Sequence, residues 1–288
     1  MDQMLRQEYL WEKRWEELKQ EMLEHGLGGL FEALSPYAKN AIYMELEEDV
    51  GGFSKMGGTP ELPVGMEWPR KSDGTAMSFI AQIDFAEVHP FDRDGKLPES
   101  GMLWFFYDCS DEGMLWGFDP KDADGFRVIY VEDAEVAPAE APDDLEVTFD
   151  EAGLSFKNRL DLLCTDSDIC DELDLPDEEM DDYFDWMDER EGECNKLLGH
   201  ADNIQGGMEL ECEYVTSGIY CGDPSGYEKA RALGLHKNAA RWNLLMQVES
   251  NEEIGMMWGD LGRLYLWITD DDLKARRFDK SWLILQCG

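Results

Sequence analysis

Basic side chains are scarce in this chain: 25 Lys and Arg stand against 65 Asp and Glu, a formal net charge of -40. A field of that sign repels phosphate backbones and anionic lipid, which excludes nucleic acid and membrane surfaces and favours a basic protein as partner. Histidine is scarcer still, with only His25, His89, His200 and His236. None belongs to a paired-histidine helix motif, and no C-x-x-C occurs among the seven cysteines, so neither metal nor cofactor is expected. Also missing is an apolar run of the roughly 18 residues that would span a bilayer. The opening stretch MDQMLRQEYLWEKRWEELKQ is charged and amphipathic, unlike a secretion leader. Together these absences predict a cytoplasmic protein whose cysteines are reduced thiols. No nucleophile elbow, phosphate loop or kinase signature is present, so no catalytic residue is assigned. With 65 acids, some carboxylate pair always lies in range for glycoside chemistry, which empties that line of reasoning.

What is present is a repeated grammar. SFIAQIDFAEV (78–88) followed by GMLWFFY (101–107) is answered by LLMQVES (244–250) followed by MMWGDLGRLYLWI (256–268). In each copy a glutamine lies in an apolar run (Gln82, Gln247) and a carboxylate follows two residues on (Asp84, Glu249). A glycine then opens an aromatic strand, Gly101 lying 19 residues after its glutamine and Gly262 lying 15 after its own. The pattern predicts one α+β unit over 1–288, a duplication of pseudo-repeats at about 1–140 and 141–288, with largely antiparallel strands covered by helices.

Along the chain, Met4, Trp11, Trp15, Leu18 and Met22 draw one apolar stripe, predicting a helix over 3–25 that Gly26 ends. A strand is expected at 41–46, then a rigid loop over 50–68 fixed by Pro60, Pro63 and Pro69. Further strands are expected at 116–118, 126–132, 146–149 and 154–163, with a Pro- and acid-rich linker over 134–144. Residues 165–193 carry 15 acids and a single basic residue, Arg190. Apolar residues threading that stretch predict two short amphipathic helices, the second near 177–190. Met180, Phe184 and Met187 are expected to face inward, and Asp181, Asp185 and Asp188 to fan outward as a protein-binding face. Residues 207–217 fit a strand or a helix, and their length favours the helix.

Gln82 and Gln247 are polar groups in apolar strands and must find hydrogen bonds. Bonding to a neighbouring loop is the ordinary answer. Lining a ligand cleft between the pseudo-repeats, together with Trp258 and Asp260, is the functional one.

GGTPELP (57–63), Trp68-Pro69, SFIAQIDFAEV (78–88), GMLWFFY (101–107), LLGHADNIQ (197–205), LLMQVES (244–250) and MMWGDLGRLYLWI (256–268) resemble the bacterial YwqG-like family in order and spacing. The resemblance implies a single α+β fold of two intertwined repeats and no established catalytic residue. Some relatives look like immunity proteins that block a toxin by binding it. The favoured reading is a non-enzymatic protein-binding module, an immunity-type protein for a basic toxin domain. The alternative is a small-ligand binder or enzyme that uses the cleft between the repeats.

Overall fold

The structure, a computed structural model, describes residues 3–49, 51–110, 114–167, 169, 170, 173, 175, 177–190 and 194–288. Twelve strands are found among them: β1 (Lys39–Glu47), β2 (Lys55–Met56), β3 (Glu61–Pro63), β4 (Ser78–Asp84), β5 (Met102–Tyr107), β6 (Phe126–Val131), β7 (Val136–Pro138), β8 (Ala152–Asp161), β9 (Lys196–Leu198), β10 (Trp242–Glu249), β11 (Arg263–Thr269) and β12 (Trp282–Gln286). Ten of these form one sheet in the order β12-β11-β10-β9-β1-β8-β2-β4-β5-β6, and β3 pairs with β7 in a small second sheet. Every pairing is antiparallel. With helices packed against it, the assembly is α+β.

The large sheet curls until its two end strands meet, giving a nearly closed barrel. Phe126 of β6 stands edge-on to Trp282 of β12, with ring centroids 5.8 Å apart. The segment before β6 closes the seam: Leu285 N donates to the Trp116 carbonyl (3.2 Å) and Trp282 Nε1 donates to the Gly117 carbonyl (2.8 Å). Gly117 has φ +87°, and a Cβ there would stand 2.1 Å from the Leu283 carbonyl oxygen. Only glycine permits that approach of backbone to backbone.

Burial on both faces explains why the central strands read as unbroken apolar runs. In β5, Leu103, Phe105 and Tyr107 join the barrel interior, while Met102, Trp104 and Phe106 pack beneath the β3–β7 sheet. A third apolar cluster lies outside the barrel, where the helices Gln3–Glu24, Gly28–Leu34 and Asp177–Arg190 cover Leu160, Leu162 and Leu163.

Several expectations need correction. The loop over 50–68 contains β2 and β3, and the linker over 134–144 contains β7. Residues 116–118 and 146–149 are not strands; the first is held by bonds to β12 instead. The strand expected at 154–163 runs as β8, and residues 209–216 are helical. The helix Asp177–Arg190 is present, whereas much of the segment expected to form its companion lies outside the described residues. Its inward face differs from expectation. Tyr183 and Trp186 are the buried anchors, Met180 and Met187 pack beside them, and Phe184 is 55% exposed.

Candidate functional site

The densest polar constellations are two glycine-bearing loops, each tied to a buried glutamine. Lys55 in β2 lies opposite Gln82, and Lys196 in β9 lies opposite Gln247. Gln82 Nε2 donates to the Phe53 carbonyl (2.6 Å) and to the Glu61 carboxylate, and its Oε1 accepts from Glu61 N (2.9 Å). Gln247 Nε2 donates to the Cys194 carbonyl (2.7 Å) and Asp202 Oδ2 (2.7 Å), and its Oε1 accepts from Asp202 N (3.0 Å). On the next strand Trp104 Nε1 donates to the Glu61 carbonyl (2.8 Å) and Tyr265 OH to the Asp202 carbonyl (2.6 Å). Lys55 Nζ pairs with Glu61 (3.2 Å) and Glu151 (2.8 Å), while Lys196 Nζ pairs with Asp161 (3.0 Å) and Asp202 (2.9 Å). KMGGTPE (55–61) and KLLGHAD (196–202) therefore share a spacing of lysine, glycine and acid that pattern reading passed over.

The second loop is the more deeply buried. Burial pulls the Lys196 ammonium down, but Asp161 and Asp202 outweigh it and hold the ammonium well above the usual lysine range. Burial pushes the Asp161 carboxyl up against the pull of Lys196. Desolvation, aided by Lys39, lowers His200 to about 3. Its imidazole is thus neutral, and Nε2–H donates to the Tyr37 carbonyl (2.7 Å). These groups tie the loop to neighbouring segments, Lys196 to β8 through Asp161 and His200 to the Tyr37 carbonyl, an arrangement that buttresses backbone.

The four residues expected to line one cleft are not brought together. Gln82 and Gln247 are fully buried on β4 and β10, which are separated in the sheet by β9, β1, β8 and β2. Asp260 sits in a turn where its carbonyl accepts from Gly288 N (3.0 Å). Trp258 does line a cavity, one of about 160 Å³ between Tyr107–Ser110 and Gly255–Trp258.

A larger pocket of about 650 Å³ opens near the seam, where Arg127, Arg241 and Lys280 stand over Trp242 and Trp282. Each cation already has a carboxylate: Asp124 for Arg127 (3.1 Å), Glu213 for Arg241 (2.8 Å) and Asp279 for Lys280 (3.4 Å).

A third site flanks the acidic helix. Asp181, Asp182 and Asp185 are exposed, while the side chain of Asp188 lies outside the described residues. Tyr183 fixes the helix from beneath, its OH donating to the Leu163 carbonyl (2.8 Å) and its ring stacked on Trp186. Phe184 and Met187 then form one wall of a groove of about 340 Å³, completed by Cys164, Asp166, Asp202 and Ile204. The groove pairs apolar walls with Asp166 and Asp202, and Arg263 also lines it, its guanidinium donating to the Asp202 carbonyl (3.0 Å).

None of the seven cysteines is joined in a disulfide. Among the described residues, no three His, Cys, Asp or Glu side chains gather as metal ligands would, and no helix is long and apolar enough to cross a membrane. The model of a family described as a domain of unknown function, DUF1963, matches residues 54–287, a span that holds both buttressed loops and the acidic helix. No curated protein matches the chain.

Proposed function

The chain belongs to the DUF1963 family, a domain of unknown function, and from that premise we propose that it is a non-enzymatic binding module for a basic protein. The docking face is the helix Asp177–Arg190 with the groove beside it. The observation that carries this reading is Phe184, a large apolar side chain 55% exposed between exposed carboxylates and at the wall of a groove. A lysine or arginine from a partner can lay its aliphatic stem against Phe184 and Met187 and turn its charge toward Asp166. Asp181 and Asp185 would steer the encounter from outside. A basic toxin domain met by an immunity-type protein is the partner of this description that best suits the YwqG-like resemblance.

The same proposal takes the fold as two pseudo-repeats, about 1–140 and 141–288, within one unit. The palindromic strand order supports it, with β12, β11, β10 and β9 mirrored by β6, β5, β4 and β2 around the central β1–β8 pair. So do the paired positions Phe53/Cys194, Lys55/Lys196 and Glu61/Asp202, which make the same bonds to Gln82 and Gln247.

The test uses a basic protein recovered from native lysate on the immobilised chain. Asp181→Asn with Asp185→Asn should slow association, and Phe184→Ala should hasten dissociation. Salt at about 0.5 M shortens the screening length from about 8 Å to about 4 Å and should weaken binding steeply. A partner indifferent to all three changes would refute the docking face.

A further inference from the structure

The pocket at the barrel seam opens where the chain gathers its basic residues. Of the 25 Lys and Arg, four fall within 229–241 (Lys229, Arg231, Lys237, Arg241) and four within 274–280 (Lys274, Arg276, Arg277, Lys280), with Asp279 the one acid in either stretch. All eight are exposed, and Lys229, Arg231, Lys237 and Lys274 make no ion pair with a described residue. Each stretch ends on a residue that lines the pocket, Arg241 and Lys280. In a chain of net charge -40, the opening is therefore flanked by a local excess of positive charge.

The carboxylates nearby leave part of that charge uncommitted. Buried Glu213 accepts from Arg241 Nε (3.0 Å) and pairs with Nη2 (2.8 Å), and it also accepts from Trp242 Nε1 (3.0 Å) and Asn238 Nδ2 (3.0 Å). Arg241 Nη1 has no bond among the described residues, and the Arg241 side chain is 51% exposed. Lys280 pairs with its neighbour Asp279 at 3.4 Å, the two side chains being 61% and 66% exposed. A pair so solvated holds weakly and yields to a better-placed anion. Asp272 is occupied by Thr269 Oγ1 (2.6 Å) and Arg277 Nε (2.7 Å). Arg127 is committed to its own turn, donating to the Ala123, Asp124 and Phe126 carbonyls. The helix Glu209–Thr216 ends at the same wall, where Ser217 N and Gly218 N take the Glu213, Tyr214 and Val215 carbonyls. What remains for a ligand is the Lys280 ammonium and one edge of the Arg241 guanidinium, beside an apolar lining of Phe126, Val128, Val215, Trp242 and Trp282.

We propose that the seam pocket binds a small aromatic oxyanion, its carboxylate or phosphate held by Lys280 and Arg241 and its ring set against the apolar lining. A volume of about 650 Å³ leaves room for a two-ring body. Phe126 of β6 and Trp282 of β12 both line the pocket, so such a ligand also fastens the seam.

The experiment titrates the full chain with 1-naphthoate, 1-naphthyl phosphate and the uncharged 1-naphthalenemethanol, followed by calorimetry and ligand-detected saturation-transfer NMR. At least one anion should bind about fivefold more tightly than the alcohol, and the two anions tell carboxylate from phosphate. Lys280→Gln, at an exposed side chain, should weaken the anion about threefold and leave the alcohol unchanged. Lys237→Gln lies outside the lining and should leave both unchanged, whereas Ala123→Trp, at an exposed lining position, should block both. If Ala123→Trp does not fold, Ser217→Trp, at another exposed lining position, takes its place. No binding by either anion, an alcohol that binds as well, a loss in Lys237→Gln equal to that in Lys280→Gln, or anion binding that survives the added tryptophan overturns the proposal.

Discussion

Replacing Lys196 with methionine removes the cation from the second buttress but keeps most of its side-chain length. The Lys196 side chain is 0% exposed, and those of Asp161 and Asp202 are 5% and 11% exposed. Two carboxylates that shared one ammonium would then be buried together without it. Removing one partner of a buried ionic cluster costs about 3–5 kcal/mol. Lys55→Met is the internal control, because Glu61 and Glu151 are 26% and 42% exposed and can take up water. Its cost should be about 1 kcal/mol, in the range of partly solvated pairs. Urea unfolding at neutral pH, read by tryptophan emission and far-ultraviolet dichroism, measures both.

The pH dependence supplies a second readout of the same substitution. Without Lys196, burial and repulsion from Asp202 raise the Asp161 carboxyl further above its unfolded value. Groups raised in the folded state stabilise it below their unfolded value, and that stability is lost as pH rises through the folded value. The deficit of Lys196→Met relative to the wild type should therefore shrink as pH falls from about 8 to about 5.5. Equal costs for the two lysines, or a deficit that widens on acidification, would refute the buttress account.

His200, lowered to about 3 from an unfolded 6.5, contributes stability that is present above 6.5 and lost as pH falls toward 3. His200→Gln should flatten that acid loss, seen as a smaller shift in the urea midpoint between about pH 7 and pH 4.5. On the acidic helix, Tyr183→Ala removes a fully buried ring and its bond to the Leu163 carbonyl and should cost about 3–5 kcal/mol. Phe184→Ala, on an exposed side chain, should stay within about 0.5 kcal/mol, and thermal melts separate the two.

Much of the architecture was legible because strong local patterns mark it. The aromatic strands β5 and β11 stand out as apolar runs, and β4 and β10 as apolar runs interrupted by Gln82 and Gln247. By contrast, β2 and β9 span two and three residues, too short for any period to register. Lys55 and Lys196 were passed over because lysine is ordinarily solvated, and only its burial among acids makes it structural. The inward face of the acidic helix was misjudged for a different reason. Met180 and Met187 belong equally to a stripe through Phe184 and to one through Tyr183 and Trp186, so docking against Leu160 and Leu163 decides between them. The candidate sites were legible least of all, since Trp258 meets Tyr107 and Phe149 only after the barrel has closed.

The scarcity of basic residues acquires a structural sense from where they lie. Lys196 ties β9 to Asp161 of β8 and Lys55 ties β2 to Glu151, while Arg70 clasps Asp144 through two bonds (2.7 and 2.8 Å). Lys71 reaches the buried Asp108, and Arg276 pairs with Glu132, 144 positions away. Cations used in this way join segments distant in sequence rather than screening the surface. Each buried lysine, moreover, holds two carboxylates, so neither cluster offers positive charge to the outside. The outward field is left to surplus acids such as Asp181, Asp182 and Asp185. Solubility alone would be served by acids spread over any face. An exposed phenylalanine does not serve solubility, and Phe184 differs from other exposed apolar side chains such as Phe53 and Leu261 in standing at a groove wall beside these acids. The proposed basic partner rests on the place of Phe184 at the groove wall beside these carboxylates, rather than on the net charge.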